Sequence, residues 1–455
     1  MNKFAGKTKF YGKNVNFEID DFFLILFVDG DTTHKLMYSE YTKGVNLLEK
    51  QPLKLTKLNC ITNDKLTKIT CYFDTLSYGI ESKTMYLGDS IIRIPIKKFI
   101  VFNLSRKTNK HYMVFYSKEL HKLTGLIPRF EPSMSENDKN ILFNLNFPTL
   151  SLASKFKLLG HNFELKPTYK YRIIGSTINF TPGLQLSFSK ELTDSEIDKI
   201  YIAFIRFIQY CSMRTNIKPE SFAFCNGLYE GEIFSYFVIN KIDNEDLNSI
   251  YRDSFSWNIL SKNAGNLFKL IFNNDIYLLN NHENRNSRLT ITFESISKDA
   301  AAFESEFDSL YPSGVPYSNE RAAIEAEIID EITPFMEQSS GKKRKIYKSL
   351  IKNIHLQSLG DKIKFCLDKY SNSFKSTRKN FKIKLNNEEI GENCRSIRND
   401  VDHGNEVEEI SEEAAFSYIV LRCLIYAMQL KKAKFTNKDI NILINCLYSI
   451  KGAPR

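Results

Sequence analysis

The chain has 455 residues, of which 42% are hydrophobic and 25% charged. That allows two to four domains and excludes wholesale disorder, collagen and low-complexity architectures. Sixty-three Lys and Arg against 53 Asp and Glu leave a formal charge of +10, a modest excess that permits an anionic partner such as RNA without demanding one.

The N-terminus, Met1 to Lys7, begins basic but leads into no apolar h-region, so no signal peptide is predicted. Residues 1–190 then read as β. Ile92, Ile94 and Ile96 alternate with polar or proline positions, as do Leu184, Leu186 and Phe188, the pattern of strands with one buried face. Further strands are expected at Phe22–Val28, Leu53–Ile61, Thr67–Phe73, Tyr112–Tyr116 and Tyr171–Ile174, separated by turns such as Asp29-Gly30-Asp31 and Thr181-Pro182-Gly183. Many strands and few helices predict an antiparallel, sandwich-like or barrel-like domain. Pro95 is expected to put its strand at an edge or a bulge.

The period then changes. Thr193-Asp194-Ser195-Glu196 has the form of a capping box, and Ile197, Ile200, Phe204, Phe207 and Cys211 follow at helical intervals. Strand-like pieces at Ser221–Cys225 and Ile233–Ile239, a helical stretch from Trp257 to Phe272 and a strand near Leu289–Phe293 complete a mixed α+β middle region, 191–315. That region can be continuous with the first. Tyr311–Pro316 has the composition of a linker. Beyond it, segments 319–338, 343–370, 386–403, 411–433 and 436–450 carry helical periodicity, which predicts an antiparallel bundle over 319–455. Gly360 is expected to split the second segment, and Pro334 to kink or end the first. The fold class expected is α+β multidomain. No run reaches the roughly 20 apolar residues of a membrane span, since Arg422 and Gln429 interrupt Tyr418–Leu430. Eight cysteines without a C-x-x-C pair, and without His at zinc-ligand intervals, predict buried free thiols in a reducing cytoplasm.

Charge is uneven in the C-terminal part. Residues 341–385 hold fourteen Lys and Arg against two Asp, and 386–413 hold ten acidic residues against two Arg. One reading is a basic helix solvated or packed beside an acidic one. The other is a positive surface for a phosphate backbone, with Lys342, Lys343, Arg344, Lys345 and His355 as its contacts. Glu327, Asp330, Glu331 and Glu337 read as a solvated face, and the remaining histidines have no nucleophile beside them. Neither a phosphate loop nor a Rossmann fingerprint occurs.

Arg398-Asn399-Asp400-Val401-Asp402-His403-Gly404 is the segment with chemistry in it. Asn399 and His403, four apart, share a helix face. Arg398 and His403 are about 140° apart on an ideal helix. They converge on one phosphate only if the Arg reaches round, the helix unwinds near Gly404, or a second subunit completes the site. A plainer reading is a helix end where His403 meets the dipole, Gly404 caps, and Arg398 pairs with Asp402 one turn on.

This R-N-x-x-x-H at a helix end in a helical C-terminal region resembles the signature of the HEPN superfamily, and the layout resembles its ApeA-like branch. The resemblance implies a metal-independent endoribonuclease of bacterial abortive infection. It also implies a homodimer through the C-terminal bundle, no cofactor, RNA (tRNA among the candidates) as substrate, and a phage-derived trigger at the N-terminal region. The expected roles follow from the side chains. RNA carries its own nucleophile, the 2′-OH, and the His403 imidazole can move its proton near neutral pH. Arg398 can neutralise charge growing on the phosphate, with Asn399 orienting. Two other readings stay open: a non-catalytic dimerisation or nucleotide-binding bundle, and an N-terminal region that binds a glycan or a phage protein as the main activity.

Overall fold

The computed structural model describes residues 3–10, 12–20, 22–29, 57–73, 81–84, 90–126, 129–134, 141–146, 152–174, 177–217, 219–235, 254–282, 285–316, 319–354, 357–402 and 409–448. Two compact units result. The first is Met1–Tyr201 with Asn216–Tyr251, the second Ile202–Thr215 with Arg252–Arg455. The middle region read from sequence as 191–315 is thus shared between them.

The first unit is antiparallel β. Its strands are β1 Phe4–Phe10, β2 Lys13–Asp20, β3 Phe23–Val28, β4 Lys57–Thr62, β5 Thr67–Tyr72, β6 Glu81–Thr84, β7 Ser90–Pro95, β8 Lys98–Tyr116, β9 Arg129–Met134, β10 Ile141–Asn146, β11 Ser154–Leu158, β12 His161–Ile174, β13 Thr177–Phe188 and β14 Ser221–Ser235. Alternation builds them: Val15, Phe17 and Ile19 are buried, and Asn14, Asn16 and Glu18 are exposed. Twelve strands hydrogen-bond as one sheet, in the order β11-β12-β13-β8-β5-β4-β1-β2-β3-β7-β6, with β14 along β8; β9 and β10 pair separately. The antiparallel expectation holds, but the hydrogen bonding is that of one sheet and not of two stacked ones. The reason lies in β8. Its residues 98–103 pair with β5 and its residues 112–116 with β13, while β14 follows the strand along its other edge. Phe99 on β8 sits between Phe22 and Phe234, with ring centroids 5.4 and 4.9 Å away. Pro95 does not mark a sheet edge. Its strand lies between β3 and β6, and Pro95 is the last residue, past the β6 pairing that ends at Arg93. There its missing N–H interrupts no ladder.

Helix α1, Asp194–Ser212, begins at the expected capping box: the Thr193 N–H donates to Glu196 Oε2 at 2.8 Å and the Glu196 N–H to Thr193 Oγ1 at 3.4 Å. The boundary between the units falls within it, after Tyr201.

The second unit is helical: α2 Ala264–Asn273, α3 Phe293–Leu310, α4 Asn319–Glu337, α5 Gly341–Ile354, α6 Leu359–Tyr370, α7 Asn387–Asp402, α8 Glu412–Lys432 and α9 Asn437–Leu447, with shorter helical segments between. Three local expectations are corrected. Leu289-Thr-Ile-Thr-Phe293 alternates like a strand, yet Thr292 caps α3 in a reciprocal box with Ser295, and the helical spacing of Ile296, Ala300, Phe303 and Phe307 prevails. The 343–370 segment does divide, between α5 and α6, but the break lies before Gly360 and not at it. Ser358 caps α6, with the Asp361 N–H donating to its Oγ at 3.1 Å, and Gly360 lies in the first turn. Pro334 does not end α4 at once: it lies in the last turn, and the helix runs on three residues to Glu337.

Helix α8 is the core. Every residue from Ser417 to Leu430 is buried, as suits a helix apolar nearly all round. It is long and apolar enough to cross a membrane, and 83% of its apolar window is buried inside the protein. Its polar members find partners there. Arg422 Nε donates to Asp299 Oδ2 and its Nη1 to the Arg288 carbonyl, both at 2.6 Å. Gln429 Nε2 donates to the Tyr277 carbonyl at 2.9 Å and to Glu306 at 3.0 Å. All eight cysteines are buried free thiols.

Candidate functional site

The last turn of α7 carries Arg398, Asn399 and Asp402. The helix starts at another reciprocal cap: the Glu389 N–H donates to Asn386 Oδ1 at 2.9 Å and the Asn386 N–H to Glu389 Oε2 at 2.7 Å. Two glycines then bring α7 and α6 together. A Cβ on Gly391 would stand 2.6 Å from the Gly360 carbonyl oxygen, and one on Gly360 would stand 3.2 Å from that of Gly391. A side chain at Gly391 would collide with the Gly360 backbone, and one at Gly360 would be tight. Tyr418 Oη donates to the Cys394 carbonyl at 3.2 Å and Asn393 Nδ2 to Ser417 Oγ at 3.2 Å, tying α7 to α8.

The inward face of α7 follows from these anchors. Ile390 and Cys394 are buried, and Arg398 continues that row at the next i+4 step. It is therefore half-buried, while Asn399, a third of a turn on, is exposed. Helix α3 receives the guanidinium. Arg398 Nη2 lies 3.0 Å from Glu304 Oε2, and its Nε lies 3.1 Å from Asp402 Oδ2. Ser297, seven residues before Glu304 on the same face of α3, donates to Asp402 Oδ1 at 3.0 Å. Partial burial of Arg398 works against its charge, but the hydrogen bond and charge of Glu304, then those of Asp402, outweigh it and raise its pKa. The arrangement is one cation between two carboxylates. A phosphate reaching Arg398 there must compete with both.

His403 and His355 lie outside the described residues, as does Gly404. Lys342, Lys343, Arg344 and Lys345 are on α5 and exposed. Among the described residues none of the four makes a hydrogen bond or ion pair with Arg398 or Asn399. The pairing of Arg398 with Asp402 one turn on is present as the sequence suggested. Glu304 and Ser297 were missed, because the segment that carries them was not read as a helix; its Thr292 cap and the spacing of its buried residues were the available signal. No group of three or more His, Cys, Asp and Glu among the described residues is arranged to hold a metal ion.

A second polar cluster lies in the core of the same unit. Arg422, Arg288, Arg214, His282 and Asp299 are all buried. Burial, then the charges of Arg422 and Arg288, push the His282 pKa down to about 3. Burial pushes Asp299 up to about 6 against the pull of Arg422. His282 Nε2 and Arg422 Nη2 have no hydrogen-bond partner among the described residues.

Comparison with known proteins adds no relative: no protein-family model, curated protein or solved structure matches the chain.

Proposed function

We propose that the chain is a metal-independent endoribonuclease of the HEPN type, acting in the bacterial cytoplasm in abortive infection against phage. One observation carries the reading. Arg398 stands in the last turn of α7, tethered by Glu304 and Asp402, with its side chain still 27% exposed, five positions before His403 in sequence. RNA cleavage by 2′-OH attack uses a guanidinium that neutralises the phosphate together with an imidazole that moves the proton, and Arg398 supplies the first. In this reading His403 moves the proton of the 2′-OH or of the leaving 5′-oxygen, Arg398 neutralises the charge that grows on the phosphate, and Asn399 orients substrate or imidazole. The products are a 2′,3′-cyclic phosphate and a 5′-OH. A homodimer through the helical unit and restraint by the N-terminal unit, released by a phage-derived trigger, belong to the same proposal. RNA, with tRNA as the first candidate, is the substrate.

A second reading has its own support. Two carboxylates hold one guanidinium, so the local charge is negative, as in a purely structural helix end. That favours a bundle that binds or dimerises without cutting. The two readings separate when wild type, Arg398→Ala and His403→Ala are incubated with total RNA in EDTA and the fragment ends are analysed. Cleavage by wild type alone, with cyclic phosphate ends and all three proteins folded, supports the enzyme. Equal cleavage by all three, or equal toxicity of all three on expression, sinks it.

A further inference from the structure

Strands β11, β12 and β13 pair with Phe156 opposite Phe163 and Phe163 opposite Phe188. These three rings are buried, with neighbouring centroids 5.6 and 5.9 Å apart. Alternation turns their sequence neighbours to the other face of the sheet. There Lys155, Lys157, Asn162, Glu164, Ser187 and Ser189 line an open groove of about 540 Å³. The phenylalanines, pointing away, give it only backbone. The volume lies in the range of small-molecule sites.

The groove is rich in protons to give. Among the described residues Lys155, Lys157 and the Asn162 side-chain amide make no hydrogen bond or ion pair. Ser187 Oγ accepts from Gln185 Nε2 at 2.7 Å, and Ser189 Oγ accepts from the Asn162 backbone N–H at 3.2 Å. Each hydroxyl therefore keeps its own proton to donate. The one carboxylate, Glu164, stands opposite Lys155 in the register but is held by Lys166 at 2.9 Å. Three lysines against one glutamate leave the groove positive. Ammonium groups, hydroxyls and an amide around one space suit a group with several anionic oxygens, and a phosphate monoester offers three.

The neighbouring strand says what the phosphate is attached to. Ser187 pairs with Tyr112 on β8, whose Oη donates to Glu230 Oε1 at 2.8 Å. A half-buried ring beside a carboxylate receives a neutral polyol, because the ring packs on its carbons and the carboxylate accepts from its hydroxyls. The same carboxylate would repel the next phosphate of an RNA backbone running that way. A bare phosphate would leave much of the groove to water. We infer that this groove binds a sugar phosphate, with the phosphate at Lys155 and Lys157 and the sugar hydroxyls towards Ser187 and Tyr112. The site lies within the β unit and does not rest on Arg398 or His403 being catalytic, since its readout is binding and not cleavage.

Isothermal titration of the full chain with ribose 5-phosphate and with glucose 6-phosphate tests the inference. At least one ester is expected to saturate a single site, at least about tenfold more tightly than inorganic phosphate or the free sugar. Lys155→Gln with Lys157→Gln should weaken that ester at least about tenfold. Thermal unfolding should not change, because both side chains are exposed. Asn162→Asp, which puts a negative charge into the groove, should weaken it as well. Absence of binding by both esters overturns the inference. So does a double variant that binds like wild type, or inorganic phosphate that binds as tightly as the esters, which leaves an anion site with no place for the sugar. An RNA oligomer without a terminal phosphate that binds more tightly than either ester, and is lost in the same double variant, overturns it in favour of a phosphodiester.

Discussion

Helix α8 runs buried from Ser417 to Leu430 and takes Arg422 with it, whereas the α4–α5 hairpin keeps its cations and five apolar side chains at the surface. Both stretches are helical and both carry charge. In α8 the charge has a fixed partner, Asp299, across a 2.6 Å contact between side chains 0 and 1% exposed. In the hairpin the acidic helix and the basic helix stay accessible. The contrast teaches where charge is structural and where it is free for recognition. A buried guanidinium must be paired and hydrogen-bonded to be tolerated at all. An exposed one is screened and adds little to stability, so it is available to a partner. Arg398 lies between the extremes: held by two carboxylates, yet partly open to solvent.

The contrast breaks most visibly at Arg422. Arg422→Ala leaves the Asp299 carboxylate buried without its cation and is expected to cost about 3–5 kcal/mol in urea unfolding. Arg422→Met with Asp299→Leu should recover most of that loss. If the double variant is as unstable as the single one, the pair is not what holds α3 to α8.

His282 gives the next largest effect, through pH. Its folded pKa of about 3 lies below the ordinary 6.5, so the unfolded chain takes the proton first. Its contribution is complete above about pH 6.5 and is lost as the pH falls towards 3. Asp299, raised to about 6, works in the opposite direction between about pH 6 and 4. The difference between wild type and His282→Gln isolates the imidazole: over that fall in pH the variant should lose about 2–4 kcal/mol less than wild type. Parallel stability curves for the two proteins would show that His282 is not shielded.

A smaller loss is expected at the helix crossing beneath the candidate site. Gly391→Ala puts a methyl group against the Gly360 backbone and should cost about 1–3 kcal/mol, seen in thermal unfolding. An unaffected melting temperature would mean that α6 and α7 are free to part there. Glu304→Gln should be the mildest. It removes one charge from a partly exposed ion pair and is expected to change stability by less than about 1 kcal/mol. A loss as large as that of Arg422→Ala would place Arg398 with the structural charges and remove it from the half-open class.

Much of the architecture was legible in the sequence because it depends on near neighbours. Alternation in Leu184–Phe188, the Thr193–Glu196 cap and the apolar row of α8 are local patterns, and the antiparallel sheet and helical unit follow from them. The Leu289–Phe293 alternation misled because one helix cap outweighs five residues of period two. The motif at Arg398 and its i+4 pairing with Asp402 were legible for the same local reason.

What the sequence alone determined, then, is that an antiparallel β part precedes a helical one, that the thiols are buried, and where the one motif with chemistry lies. Tertiary structure decided the rest: that twelve strands join into one sheet through β8, that Glu304 and Ser297 on α3 meet the end of α7, that Gly360 serves a helix crossing and not a break, and that Arg422 has its counter-charge in Asp299. Each of these depends on contacts between residues far apart in the chain. Periodicity and capping act within a few residues, so they cannot specify which distant carboxylate closes on which guanidinium; only packing the faces together does that.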